Sequence, residues 1–270
     1  MIKLLQKWKQ YRYRFVPWLA INFKDRSIRS VTEHDTDIVI THKEFSHFLH
    51  QFLRSLHEKH EGSKNAKADT EESFQNGQQV LYETCGFCVE RRPSVLESAG
   101  TGVKVTHGTV PAASVTSLYC GLVYEPYEPI FFQSIGNPFI FRCADGTLLD
   151  GNDRGISRSL YKSCRGRDSC WPLPSCDETW LSPRPQCPLN VGQYVNNHTK
   201  EYPPNVAYQE FSVPVDFPVH LRQYLPNNHY TSIANVPDGV ERMLRIVALV
   251  SLREIQSGEE LFSSYFTIVR

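Results

Sequence analysis

Apolar positions follow a helical period in one stretch of the chain and a strand-like texture over most of the remainder. In "THKEFSHFLHQFLRSLHEKHE", Phe45, Phe48, Leu49, Phe52, Leu53 and Leu56 recur at three- and four-residue intervals, which predicts an amphipathic helix. Thr41 with Glu44 three residues later has the form of a capping box and predicts where that helix begins. His42, His47, His50, His57 and His60 decorate it, and a solvated face is read in preference to a metal site. Leu4, Leu5, Trp8 and Tyr11 predict a second, basic helix within Met1–Lys24.

From Glu61 to Gln79 the chain turns polar and reads as a mobile linker. Beyond it, short runs such as "GVKVTHGTV", "SVTSLYCGLVY", "EPIFFQSIGNPFIFRCADGTLLDGND", "QEFSVPVDFPVHL" and "RMLRIVALVSLREI" alternate with glycine, proline and asparagine. Strand after short strand with turn signals between predicts a β-rich domain rather than alternating β-α units. Pro111, Pro129 and Pro138 are expected at strand ends or edges. Residues 163–188, rich in proline and cysteine and carrying Trp171 and Trp180, read as an irregular insert. The expected organisation is a helical region over 1–60, a linker over 61–79, a lead-in over 80–99 and the β-rich domain over 100–270.

Composition narrows the function classes. Lysine and arginine number 29 and so do aspartate and glutamate, so no global field recruits nucleic acid or a membrane surface. No apolar run has the length of a bilayer span. Eight cysteines without a hydrophobic leader are expected to be reduced thiols of an intracellular protein, nuclear or cytoplasmic. The basic, acid-free stretch Met1–Lys24 keeps a mitochondrial address as the alternative, although it lacks the serines of such leaders. Cys85 and Cys88 have zinc-ligand spacing but no second pair to match, so buried thiols are expected and no metal.

Three short pieces carry candidate chemistry. Gly100-Thr101-Gly102 opens "GTGVKVTHGTVPAASVTSLYCGLVY" and lets the backbone turn and approach a ligand; with no third glycine and no following helix it is not a dinucleotide fingerprint. "NNHTKEYPPNV" places polar residues between apolar stretches, and burying them calls for partners. "ALVSLREIQSGEELFSSY" runs an apolar strand into a Gly-Glu-Glu-Leu turn and ends on Tyr265.

In this order the three pieces resemble the blocks of the SET domain of protein lysine methyltransferases: Gly-x-Gly-Val with a later Tyr-x-Gly (Tyr119 to Gly121), Asn-His with Pro-Asn, and the terminal Gly-Glu-Glu-Leu with its tyrosine. The resemblance spans about Gly100 to Tyr265. It implies a mostly β fold with a knot-like C-terminal crossing and an α-helical N-terminal region beside it. It also implies S-adenosylmethionine as cofactor and a protein substrate presenting a lysine side chain. By match, Gly100, Gly102, Asn197, His198 and Tyr265 contact the cofactor, and Tyr265 and Tyr119 serve the reaction, the latter lining the lysine channel. Because Asn196 and Asn197 are adjacent, two registers of the Asn-His block are open. Ser263, two positions before Tyr265, stands where the family commonly carries an aromatic, and implies a wider pocket. The alternative function is a SET-like scaffold without turnover that serves as an interaction module.

Overall fold

The computed structural model describes residues 11–12, 29–31, 38–62, 70–97, 99–169, 172–214, 216–232, 243–264 and 267–269. Two short strands, β1 (Tyr11–Arg12) and β2 (Arg29–Val31), precede helices α1 (His42–Gly62) and α2 (Thr70–Cys85). Then come β3 (Phe87–Pro93), β4 (Thr101–Val110), β5 (Val115–Tyr119) and β6 (Gly121–Tyr124), followed by a single helical turn α3 (Phe131–Ser134). Strands β7 (Ile140–Arg142) and β8 (Leu148–Asp150) lead into α4 (Gly155–Asp168). The remaining elements are β9 (Asn196–Asn197), β10 (Val206–Val213), α5 (Val219–Arg222), β11 (Asn227–His229), β12 (Leu244–Ser251), β13 (Ile255–Gln256), β14 (Phe262–Ser263) and β15 (Thr267–Val269).

These strands make several small sheets rather than one large one: β10-β12-β5, β11-β6-β8-β7, β13-β4-β3, β14-β9 and β1-β15-β2. Short strands in separate sheets need a shared core, and α1 supplies its lid. Its stripe of Phe45, Leu49, Phe52, Leu53 and Leu56 is buried, with the Phe45 ring stacked on Phe211 of β10 at 3.8 Å. Burying five such side chains is worth about 2 kcal/mol each before the cost of ordering them. The capping box closes as predicted: Glu44 N donates to Thr41 Oγ1 at 3.2 Å, and Thr41 N donates to Glu44 Oε2 at 2.7 Å. Gln209 fixes the entry to the helix by accepting from Ile40 N at 3.0 Å. Among the described residues no helix is long and apolar enough to cross a membrane.

Five expectations change. Thr70–Cys85, inside and just beyond the stretch read as linker, is a helix, because Phe74, Val80 and Leu81 pack inward while polar pairs such as Gln75–Glu71 and Gln79–Glu83 bridge one turn on its outer face. The histidines of α1 are not all solvated. His57 lies 4.9 Å from His220, ring to ring, and His60 packs 5.5 Å from Tyr224, where burial lowers its pKa. Phe131–Ser134 is helical where strand texture was read, and leaves Phe131 and Phe132 exposed. The insert is partly regular: α4 reaches into it, and Cys164, Cys176, Trp180 and Leu181 join Tyr161 and Tyr124 in a second apolar cluster. Of the predicted basic helix, Leu4, Leu5 and Trp8 lie outside the described residues, whereas Tyr11 and Arg12 pair as a strand with Ile268 and Thr267.

Candidate active site

The terminal block is built first by its own turn. Glu259 Oε1 accepts from Gln256 N at 2.8 Å, and Gly258 takes the left-handed φ of 92° that the tight turn requires. Arg253 pairs with Glu259 at 2.6 Å; that bond, first among the causes, lowers the Glu259 pKa. The turn docks on β4, where Val105 N donates to Glu259 O and Leu261 N donates to Val103 O. Glu260, the next residue, is thereby aimed inward.

The Glu260 carboxylate is buried and ties three distant stretches together. Oε1 accepts from Ser94 Oγ at 2.7 Å and from Asn196 Nδ2 at 3.0 Å, while Oε2 accepts from Val95 N at 2.8 Å. Asn196 Nδ2 also donates to the Thr101 carbonyl at 3.0 Å. Gly102 sits directly against this knot of bonds: a Cβ there would overlap the Glu260 carboxylate, with Cδ 2.6 Å away and Asn196 Nδ2 at 3.3 Å. Three pieces separated by as many as 166 residues in the chain thus meet at one carboxylate.

The Asn-His loop wraps the terminal strand from both sides. On one side β9 runs parallel to β14, pairing Asn196 with Phe262 and Asn197 with Ser263, and His198 N donates to Ser263 O at 2.9 Å. On the other, Asn205 N donates to Phe262 O at 2.9 Å, Asn205 Oδ1 accepts from Phe262 N at 2.8 Å, and Asn205 Nδ2 donates to Glu260 O at 2.9 Å. β14 therefore lies between the two arms of loop 196–205, and every hydrogen-bonding group of the buried Asn205 side chain is used. The Pro203-Pro204 pair has no ladder to break, because the loop turns there: Thr199 N donates to the Tyr202 carbonyl, and the Tyr202 ring stacks on Phe262. On the approach to Asn196, Tyr194 donates its hydroxyl to Asp153 at 2.6 Å beneath the Arg91 guanidinium, 3.6 Å above the ring.

An aromatic wall stands beside the crossing. Tyr119, Phe141 and Tyr208 pack ring against ring, with Tyr119 to Phe141 at 5.4 Å and Phe141 to Tyr208 at 5.0 Å. Ser263 Oγ donates to the Tyr208 hydroxyl at 3.0 Å. The room left by a serine at position 263 is therefore bordered by the phenol of Tyr208, which reaches it from β10.

The sequence-derived site residues fall as follows. Gly100, with φ 68°, is exposed and has no protein atom within 4 Å of a would-be Cβ, so the backbone there is open to a ligand. Gly102 is buried and faces Glu260, so its missing side chain admits a carboxylate of the chain itself rather than an outside group. Asn197 and His198 are half-buried on the loop arm. The side chain that reaches into the junction is Asn196, which sequence reasoning left as one of two registers. Tyr119 is buried and its hydroxyl donates to the Phe139 carbonyl at 2.8 Å; it backs Tyr208 and Phe141 instead of lining open space. Tyr265 lies outside the described residues. Glu260, Asn205 and Tyr208 were not singled out, although the first two sit inside quoted motifs.

Two further clusters of thiols and carboxylates among the described residues are accounted for by their surroundings. Desolvation, reinforced by the neighbouring Cys88, pushes Cys85 up to about 12, and desolvation with Glu90 pushes Cys88 to about 11, so both are held as thiols. Cys143, Asp145 and Glu210 present ligand atoms within 4.8 Å of one another. The Arg245 guanidinium pairs with Asp145 and lies 4.0 Å from Glu210, giving that cluster a cation of the chain's own.

Comparison with known proteins agrees with this geometry. No family model matches the chain. It is 46% identical over 296 residues to SET domain-containing protein 9 of Homo sapiens, covering 98% of this chain and 97% of that protein. It is 51% identical over 220 residues to SET domain-containing protein 9 of Pongo abelii, covering 82% and 75%. Two solved structures are similar at lower levels, each aligned over 74% of this chain, which spans 18% of theirs. One is ctPRC2 in an autoinhibited conformation bound to S-adenosylmethionine (TM-score 0.34, 12% identity). The other is a humanized mutant of Chaetomium thermophilum Polycomb Repressive Complex 2 bound to an inhibitor (TM-score 0.33, 14% identity). The mostly β architecture with its C-terminal crossing is that of a SET-domain protein. Within that class, the chain belongs to the SET domain-containing protein 9 family.

Proposed function

We propose that the chain is an S-adenosylmethionine-dependent methyltransferase that acts on a lysine side chain of a protein substrate. The observation that carries this reading is the meeting of the three blocks at Glu260, Asn196 and Gly102, with β14 held between the arms of loop 196–205. The open backbone at Gly100 and the half-buried Asn197 and His198 would hold the cofactor, whose sulfonium supplies the methyl group. The fit rests on Gly100, where nothing within 4 Å blocks an approaching ligand.

The chain's own residues align and dehydrate. Tyr208, Phe141 and Tyr119 form an apolar wall that disfavours an ammonium and so lowers the lysine pKa from about 10.4 towards the neutral form that attacks. Tyr265 orients the amine with its hydroxyl. Alignment alone can supply up to about 7–11 kcal/mol of the barrier. Glu260 and Asn196 act as positioning residues, fixing the strand that leads to Tyr265.

Two measurements test the reading. Calorimetry with S-adenosylhomocysteine is expected to give a binding heat on the wild type. Labelling of a lysate with methyl-labelled cofactor is expected to fall by orders of magnitude in Tyr265→Phe while that heat persists. No heat would point to the scaffold alternative, and equal labelling by Tyr265→Phe would remove the role given to the phenol.

A further inference from the structure

Strand β3 lies at the edge of its sheet, β13-β4-β3, and an edge strand leaves one row of backbone groups outside the ladder. The register identifies that row. Val105 N donates to the Glu259 carbonyl and Leu261 N donates to the Val103 carbonyl, so Val103 and Val105 face the terminal block. Arg91 stands opposite Val103, and Val89 opposite Val105. Facing residues of an antiparallel pair either exchange both bonds or turn both sets of groups away. Arg91 and Val89 therefore aim N–H and C=O at the free edge, while Glu90 and Arg92 use theirs in the ladder.

The chain covers part of this edge itself. At Val89, Gln78 of α2 donates Nε2 to the carbonyl at 3.0 Å. Pro93 closes the strand with no N–H to offer. Between them the backbone N–H and C=O of Arg91 have no hydrogen-bond partner among the described residues. The Arg91 guanidinium is engaged elsewhere, by the Ser182 carbonyl and the Tyr194 ring. Arg91 lines a cavity of about 230 Å³ between α2, β3 and residues 183–188. Phe74, Val89, Val191 and Pro185 give it apolar walls. The charged side chains around it are paired, Arg92 with Glu90 and Arg184 with Glu71.

We propose that this cavity is a docking slot for an uncharged, extended segment of a partner protein, which adds to β3 at Arg91. One residue of an extended chain presents, side by side, the acceptor and the donor that Arg91 N–H and C=O require. A helix does not, because its backbone groups are spent on itself. The volume is below the roughly 300–1,000 Å³ of pockets that enclose a small molecule, so a short stretch of chain suits it better. Apolar walls select a β-branched side chain, and paired charges offer no counter-ion to an ionised one. Arg92 lies opposite Gly102, so the partner is held beside β4 and the Glu260 junction whether or not the site turns over.

The test uses the full chain and a fluorescent peptide, Ser-Thr-Val-Thr-Ser, capped at both ends. In the free chain, amide exchange followed by NMR should run roughly tenfold or more faster at Arg91 than at Glu90 and Arg92. Adding the peptide should slow Arg91 to their rate. A counterpart N-methylated at the three central residues keeps the side chains and loses the donors. Anisotropy should show it binding weaker by roughly tenfold or more. Gln75→Trp, at an exposed position on the cavity wall, should fill the slot and abolish binding. Arg184→Trp serves if Gln75→Trp loses its cooperative melt. Slow exchange at Arg91 in the free chain, equal binding of the two peptides, binding of neither, or binding that survives the filled cavity overturns the proposal. So does Arg91 protection that grows with protein concentration alone, which would assign the edge to a second copy.

Discussion

Glu260 and Asp177 are both buried carboxylates, and they hold the chain in opposite ways. Glu260 takes its donors from Ser94, Val95 and Asn196, between 64 and 166 residues away. Asp177 takes its donors from Thr179, Gln186 and Asn190, all within 13 residues. One acid closes a crossing between remote blocks, and the other folds an insert on itself. Around Asp177 desolvation outweighs these hydrogen bonds and raises its pKa to about 6. The comparison teaches that a buried acid marks whatever its donors join, and that only long-range donors make it part of a site.

The largest effect should come from cutting the long-range junction. Glu260→Ala leaves Ser94 Oγ and Val95 N without this acceptor and Asn196 with the Thr101 carbonyl, and is expected to cost about 3–5 kcal/mol in urea denaturation. Gly102→Ala forces a methyl against the same carboxylate and should cost about 1–3 kcal/mol. Because both changes act on one contact, the double variant should lose less than the two losses added. Strict additivity would show that Gly102 and Glu260 do not depend on each other.

The local acid makes a pH-dependent prediction. Its native carboxyl titrates near 6 and its unfolded one near 4. Between those values the native state keeps a proton that the unfolded state has lost, so this group's contribution to stability falls as pH rises from about 4 to about 6. It is constant on either side of that window. The span of roughly two units corresponds to about 3 kcal/mol. Subtracting the denaturation profile of Asp177→Asn from that of the wild type should isolate this slope, and a flat difference would remove the assigned burial effect.

Smaller changes sharpen the comparison. Tyr208→Phe deletes the hydroxyl bonded to Ser263, with an expected loss of about 1 kcal/mol. It also enlarges the space beside the proposed amine site, so mass spectrometry of the methylated product should show a shift towards more methyl groups per lysine. Thr41→Ala removes the α1 cap, remote from both acids, and should cost about 1 kcal/mol in thermal unfolding without altering S-adenosylhomocysteine binding.

Much of the local structure was legible in the sequence. The α1 stripe and its cap and the run of short strands from β4 onward follow from periodicity and turn residues, and the order of the three blocks from their resemblance to a SET domain. Thr70–Cys85 was not legible, because its apolar stripe is only Phe74, Val80 and Leu81 within a polar composition that reads as linker. The choice between Asn196 and Asn197 was not legible either. Both residues suit the motif, and their environments differ only once β9 lies beside β14.

The sequence alone determined where helices and strands could form, since a period of 3.6 or 2 and a capping pair act over a few residues. Its resemblance to a SET domain also marked the three blocks that the structure brings together. Tertiary structure alone decided that Gly102 admits Glu260, that the Asn205 side chain bonds to Glu260 and Phe262, and that β1 and β2 clasp the strand after Tyr265. The physical reason is that burying a carboxylate or an amide is favourable only where donors and acceptors converge, and here they converge from 55 to 166 residues apart.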